Sequence, residues 1–170
     1  MPRRRPGAVR AARRLEERRL PQWARDFPPI DRLSLETSAA IRVAEHSDHD
    51  LHSAHGDQSY HVRPGGTAGF LRSYRAFLRR RGPRLKLIAS ECPSCPGCQY
   101  DDVAVVRDAL QDVVRDLPPR ARAELKQLLT VLDAEFRRRT IPDPDPAHWA
   151  DWSGSPYPWW HRRVYEGTAT

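Results

Sequence analysis

Lysine is nearly missing from this chain, long apolar runs are absent, and cysteine is scarce. Each shortage excludes something. No stretch approaches the ~18–20 consecutive apolar residues of a membrane span, so no membrane partner is expected. The opening Met1-Pro-Arg-Arg-Arg5 is followed by no apolar core, so it does not read as a secretory signal. The three cysteines, Cys92, Cys95 and Cys98, fall within seven residues. An odd number packed so closely is not a disulfide framework. It points to metal or redox chemistry in a reducing compartment, and a cytoplasmic location is expected. A Gly-x-Ser-x-Gly elbow, a P-loop and a Gly-x-Gly-x-x-Gly turn are all missing, so the common nucleophile and nucleotide signatures give no enzyme assignment. Hydrophobic residues make up 39% of the chain and mean hydropathy is -0.75, which implies a modest core with some of the chain outside it.

What is abundant is arginine. Lys86 and Lys126 are the only lysines; the other 27 basic residues are Arg, and the net charge is +7. The charge is uneven. Residues 1–30 carry nine Arg against three acids, residues 31–62 carry two Arg against six acids, and residues 63–86 carry eight basic residues and no acid. Such asymmetry is itself a signal. Arg72, Arg75, Arg79, Arg80, Arg81 and Arg84 are expected to form a basic stripe for nucleic acid or a ribonucleoprotein. Phosphate backbones bind such surfaces through counterion release without sequence preference, and guanidinium forks suit phosphate. GC-rich coding would also enrich arginine, and a solvated basic face is the bland alternative.

Proline and periodicity divide the chain into a basic arm (residues 1–30, partly disordered), a globular domain (31–140) and a Pro/Trp-rich extended tail (141–170). In the arm, residues 8–20 read as a short polar helix. Residues 36–45 lean to helix, and 46–58 read as a polar loop. Thr67 is a candidate cap for a helix over 68–81, with Phe70, Leu71, Tyr74, Phe77 and Leu78 on one face. Leu85–Ala89 reads as a short strand that pairs with 59–63. A helical hairpin follows over 101–139, its arms joined at Pro118-Pro119. Its inward residues are expected to be Val103, Val106, Leu110, Val113 and Val114, then Leu125, Leu128, Leu129, Leu132 and Phe136. The hairpin's net charge is zero, which suits a core rather than a phosphate contact. The tail carries Trp149, Trp152, Trp159 and Trp160 among five prolines. It is expected to wrap the domain, because tryptophans usually bury their large area; a protein partner for it is the minority reading. The fold class expected is mostly α with a small β element (α+β), a hairpin core and a Cys-rich loop at 91–99.

That loop carries the chemistry. Cys92-Pro-Ser-Cys95 and Cys95-Pro-Gly-Cys98 are two overlapping Cys-x-x-Cys turns, the spacing by which two thiolates reach one zinc ion. A fourth ligand is needed. His55 and His61 are the preferred candidates, with His148 and His161 of the tail as alternatives; the first two come from a segment in which His46, His49, His52 and His55 recur every third residue among Asp48, Asp50 and Asp57. An iron–sulfur cluster is the rival cofactor, lacking its fourth Cys. The sequence therefore supports a small, non-enzymatic, zinc-binding protein with an arginine face for nucleic acid. The alternatives are a metal-dependent enzyme using residues 46–61 and an iron–sulfur electron carrier or sensor.

Overall fold

A computed structural model describes residues 20–55, 63–95, 97–145, 150 and 154–167, the backbone alone for 48–55. Five α-helices are formed among them: α1 (Gln22–Arg25), α2 (Leu35–His55), α3 (Gly66–Leu78), α4 (Val103–Asp116) and α5 (Pro119–Arg139). A 3-10 turn, Cys98–Asp101, leads into α4. The protein is mostly helical, and no described helix is long and apolar enough to cross a membrane.

The hairpin of α4 and α5 forms as its periodicity predicts. Val103, Val106, Leu110, Val113 and Val114 are buried, as are Leu125, Leu129, Leu132 and Phe136, with Leu128 partly so. Asp102 caps α4 by accepting the Ala104 N–H at 2.8 Å, and Pro119 occupies the first turn of α5, where a missing N–H costs nothing. Helix α3 packs on α4 through Phe70, Leu71, Tyr74 and Phe77, and α2 packs on α5.

Two helix starts are closed by carboxylates from other helices. The Glu124 side chain of α5 accepts the Ser34 N–H at 2.5 Å, the Ser34 hydroxyl at 2.7 Å and the Thr37 hydroxyl at 2.5 Å, at the start of α2. Burial raises the Glu124 carboxyl, but the bonds from Thr37 and Ser34, with Arg120 nearby, outweigh it and hold the group below the usual carboxylate range. Glu45 of α2 is 1% exposed and accepts the N–H groups of Gly65 (2.9 Å) and Thr67 (2.7 Å), the orphan donors at the start of α3. Gly65 turns the chain there with φ +76°, a conformation that glycine adopts without strain. Thr67 is thus buried within the first turn rather than capping with its own side chain.

Three expectations are corrected. The His-rich segment is not a loop as far as residue 55: α2 continues through it to His55, because no Gly or Pro interrupts residues 35–55. No named strand forms among the described residues, so the small β element is absent there. Residues 85–87 are extended, but they bridge in parallel to Thr140 and Tyr165, which with the Pro142–Arg163 bridge makes a seam of three segments. Helix α3 ends at Leu78, three residues before the expected stop, where Arg139 reaches across and donates to the carbonyls of Leu78, Arg80 (2.8 Å) and Gly82 (2.6 Å). The predicted arm helix at 8–20 (apart from Leu20) and the predicted strand at 59–63 (apart from Arg63) lie outside the described residues.

The end of the tail does wrap the domain. Trp160 donates to Asp108 of α4 at 2.8 Å, His161 meets the other Asp108 oxygen at 2.6 Å, and Tyr165 donates to Asp102 at 3.0 Å. Burial and the Asp102 charge push the Tyr165 phenol far above its ordinary range. Trp159 packs edge-on to Phe136. Trp149 and Trp152 lie outside the described residues.

Candidate functional site: an arginine-rich end and a cysteine loop

Arg75 is taken by Asp31 at 2.6 Å, so the stripe is not without a compensating acid. The missed partner lies 44 residues back in the chain, beyond any charge count over 63–86. Arg72 and Arg75 border an open groove of about 780 Å³ floored by Ile30 and Leu71, with Trp23 and Phe27 in its wall. Arg42 crosses this groove, its guanidinium donating to the carbonyls of Ala24 (2.9 Å) and Pro28 and lying 5.4 Å from the Phe27 ring.

Arg79, Arg80, Arg81 and Arg84 follow at the end of the molecule where α3 and α5 both terminate. There they meet arginines that the sequence reading passed over. Arg137, Arg138 and Arg139 form the last turn of α5, a position favoured by the helix dipole. Arg84 donates to the Arg138 carbonyl at 3.2 Å. Arg163 joins from the seam, with Arg162 beside it in the chain, and lies 5.2 Å from the Trp159 ring, while Arg137 lies 3.8 Å from the same ring. Arginines of three chain segments therefore converge. Glu135 takes Arg138 at 2.6 Å, and that hydrogen bond holds the Glu135 carboxyl below its usual range. The run Arg137-Arg-Arg139 was the available signal. Averaging charge over 101–140 concealed it, because five acids fall in residues 101–116 and three arginines end α5.

The cysteines lie in the turn between the seam and α4. Cys95 N–H donates to the Cys92 carbonyl at 3.0 Å, and Gln99 N–H donates to the Cys95 carbonyl at 3.1 Å. Cys92 and Cys98 are exposed and Cys95 is half-buried. The Cys95 sulfur is met by backbone N–H groups of Cys98 and Gly97 and by the Cys98 and Cys92 thiols, which lower its pKa to about 7. Its neighbour Cys98 is raised by the same contact with Cys95. The structure thus brings the three thiols together, but among the described residues no three His, Cys, Asp or Glu side chains stand as a group that could hold a metal ion. His55 ends α2 with its side chain undescribed, and His61 lies outside the described residues, so the predicted fourth ligand is not placed. His46 is exposed on α2, its ring centred 4.5 Å from that of Trp23 and tilted 55° to it. Comparison of the chain with protein-family models, with curated proteins and with solved structures returns no match.

Proposed function

We propose that this protein is a non-enzymatic binder of the phosphate backbone of a nucleic acid or ribonucleoprotein, docking through the arginine-rich end. One observation carries the reading: Arg79–Arg81 and Arg84, Arg137–Arg139, and Arg162–Arg163 come from three segments to one end of the molecule. Guanidinium groups held on helix ends and a pinned seam keep their spacing, which suits a regular array of phosphates better than a flexible tail does. Binding is expected to fall steeply with salt. For about six phosphate contacts, duplex affinity drops roughly a thousand-fold between 50 and 200 mM salt. Fluorescence anisotropy with duplex DNA, duplex RNA and single-stranded RNA measures this. Changing Arg79, Arg81 and Arg84 together to Ala is expected to flatten the duplex salt slope by about 3 units, near 0.9 per contact. No binding to any of the three at 50 mM salt would end the proposal.

A second reading is favoured by the meeting of three thiols on one turn. Cys92, Cys95 and Cys98 are proposed to bind zinc, with an iron–sulfur cluster as the alternative cofactor. The turn already brings Cys92 and Cys98 to Cys95, so rotation of exposed side chains is the change a thiolate site requires. The metal-dependent enzyme reading gains no comparable support, because residues 46–55 are drawn out along a helix. Iodoacetamide mapping from pH 6 to 9 tests the loop. Cys95 is expected to react ahead of Cys98 with a midpoint near 7. Equimolar Zn²⁺ is expected to protect all three thiols in the wild type and neither remaining thiol in Cys95→Ser. Unchanged alkylation with Zn²⁺ present would remove zinc, and a freshly purified protein with visible cluster absorption would favour iron–sulfur.

A further inference from the structure

Within the arginine-rich end, one group is out of keeping with ordinary packing. Arg163 is only 8% exposed, yet it is a cation. Its backbone is held by the Pro142 bridge and by donation of its N–H to the His161 carbonyl at 2.7 Å, so the side chain has little freedom to leave. Its Nε is buried without a hydrogen-bond partner, and so is the Nε of Arg162. Burying an unpaired guanidinium is costly, and like charges nearby increase the cost. Both conditions hold here. Desolvation first, then the charges of Arg137 and Arg162, hold the Arg163 guanidinium below its ordinary range.

The neighbouring carboxylates are committed to other partners. Asp133 takes Arg107 and the Tyr74 hydroxyl, Asp108 takes Trp160 and His161, and Glu135 takes Arg138. The Asp143 carboxylate accepts the Asp145 N–H at 2.9 Å. Among the described residues, Arg137, Arg162 and Arg163 form no ion pair. The guanidiniums of Arg137 and Arg163 thus lie against Trp159, with Arg162 next in the chain adding its charge, and no counter-charge comes from the described part of the chain.

We infer that Arg137 and Arg163, set against Trp159, form with the neighbouring Arg162 a notch that binds a single phosphate oxyanion. An oxyanion supplies the missing counter-charge and accepts from terminal guanidinium N–H groups, the two buried Nε atoms being closed off from any ligand. The planar forks suit it by paired hydrogen bonds. Arg137 already covers Trp159 at 3.8 Å, so the notch offers charge rather than a ring for a base to stack on. The source of the phosphate, a nucleic-acid backbone rather than a small phosphate, rests on the proposed function; the notch itself does not.

The test uses thermal unfolding of the full chain in chloride or pyrophosphate at matched ionic strength, with Arg163→Met and Arg162→Gln beside the wild type. At ten times Kd, pyrophosphate is expected to raise the wild-type Tm by roughly 3–6 °C. Arg163→Met is expected to be at least as stable as the wild type in chloride, because an unpaired buried cation has been removed, and to lose the pyrophosphate shift. Arg162→Gln carries the same test should Arg163→Met fail to fold, with the shift at least halved. No shift in the wild type, or an equal shift in the variants, overturns the inference. A duplex oligonucleotide separates the sources. Loss of about one unit of salt slope in Arg163→Met places a backbone phosphate in the notch. A pyrophosphate shift without any oligonucleotide binding keeps the notch, assigns it a small phosphate, and ends the nucleic-acid reading. Oligonucleotide binding that is equal in wild type and Arg163→Met, without a pyrophosphate shift, does the reverse.

Discussion

Replacing Arg107 by alanine is expected to destabilise the protein by about 3–5 kcal/mol, enough to unfold much of it at moderate temperature. Arg107 is buried on α4 and meets Asp133 of α5 through two hydrogen bonds, Nε to Oδ1 at 3.0 Å and Nη2 to Oδ2 at 3.1 Å. Asp133 also accepts the Tyr74 hydroxyl of α3 at 2.9 Å. One carboxylate therefore ties three helices together. Burial first, and then the Asp133 charge, push the Tyr74 phenol far above its ordinary range, so the hydroxyl stays a donor at any working pH. On its other side Arg107 lies 4.4 Å from the Trp160 ring, which fastens the tail. Alanine leaves Asp133 a buried anion held by Tyr74 alone and takes the cation from under Trp160. Urea unfolding followed by Trp fluorescence measures both effects. Because a buried pair costs most when only one partner is removed, Arg107→Met with Asp133→Leu is expected to recover much of the loss. A single-mutant cost below 1 kcal/mol would mean the pair is not buried as described.

Glu45→Ala is expected to cost about 3 kcal/mol. It removes two charge-assisted hydrogen bonds and leaves the Gly65 N–H and the buried Thr67 N–H without their acceptors. Glu45→Gln keeps one acceptor oxygen and is expected to lose about half as much. Amide exchange distinguishes this from a general loosening. The Gly65 and Thr67 amides are expected to lose protection in Glu45→Ala while those of Leu110 and Leu129 in the hairpin follow only the global stability. Equal protection of Thr67 in wild type and Glu45→Ala would refute the cap.

The hairpin was legible in the sequence because its evidence is local. Apolar residues recur at helical spacing on both arms, and Pro118-Pro119 marks the turn. What was not legible depends on contacts far along the chain. Thr67 has the chemistry of a cap, but the actual cap comes from Glu45 and leaves Thr67 buried. Leu85–Leu87 is extended as its alternation suggests, but its partners are Thr140 and Tyr165, which no pattern near residue 85 announces. The His-rich segment was read by composition, although the absence of Gly and Pro from 35–55 was the better guide as far as His55. The cysteine spacing sets Cys92 and Cys98 each beside Cys95, while no group of three that could hold a metal stands among the described residues. The arginines were half read: the block at 79–84 was visible, whereas its junction with Arg137–Arg139 and Arg162–Arg163 required the third dimension.

The cross-helix caps have one more consequence. Because Glu45 fixes where α3 begins and Glu124 fixes where α2 begins, the register of both helices is written in side chains rather than in the joints between them. A joint that does not set register is free to change length, since each doubling of a loop costs only about 0.6 kcal/mol in closure entropy. What an altered joint before α3 has to keep is the seat of Glu45 on the Gly65 and Thr67 amides.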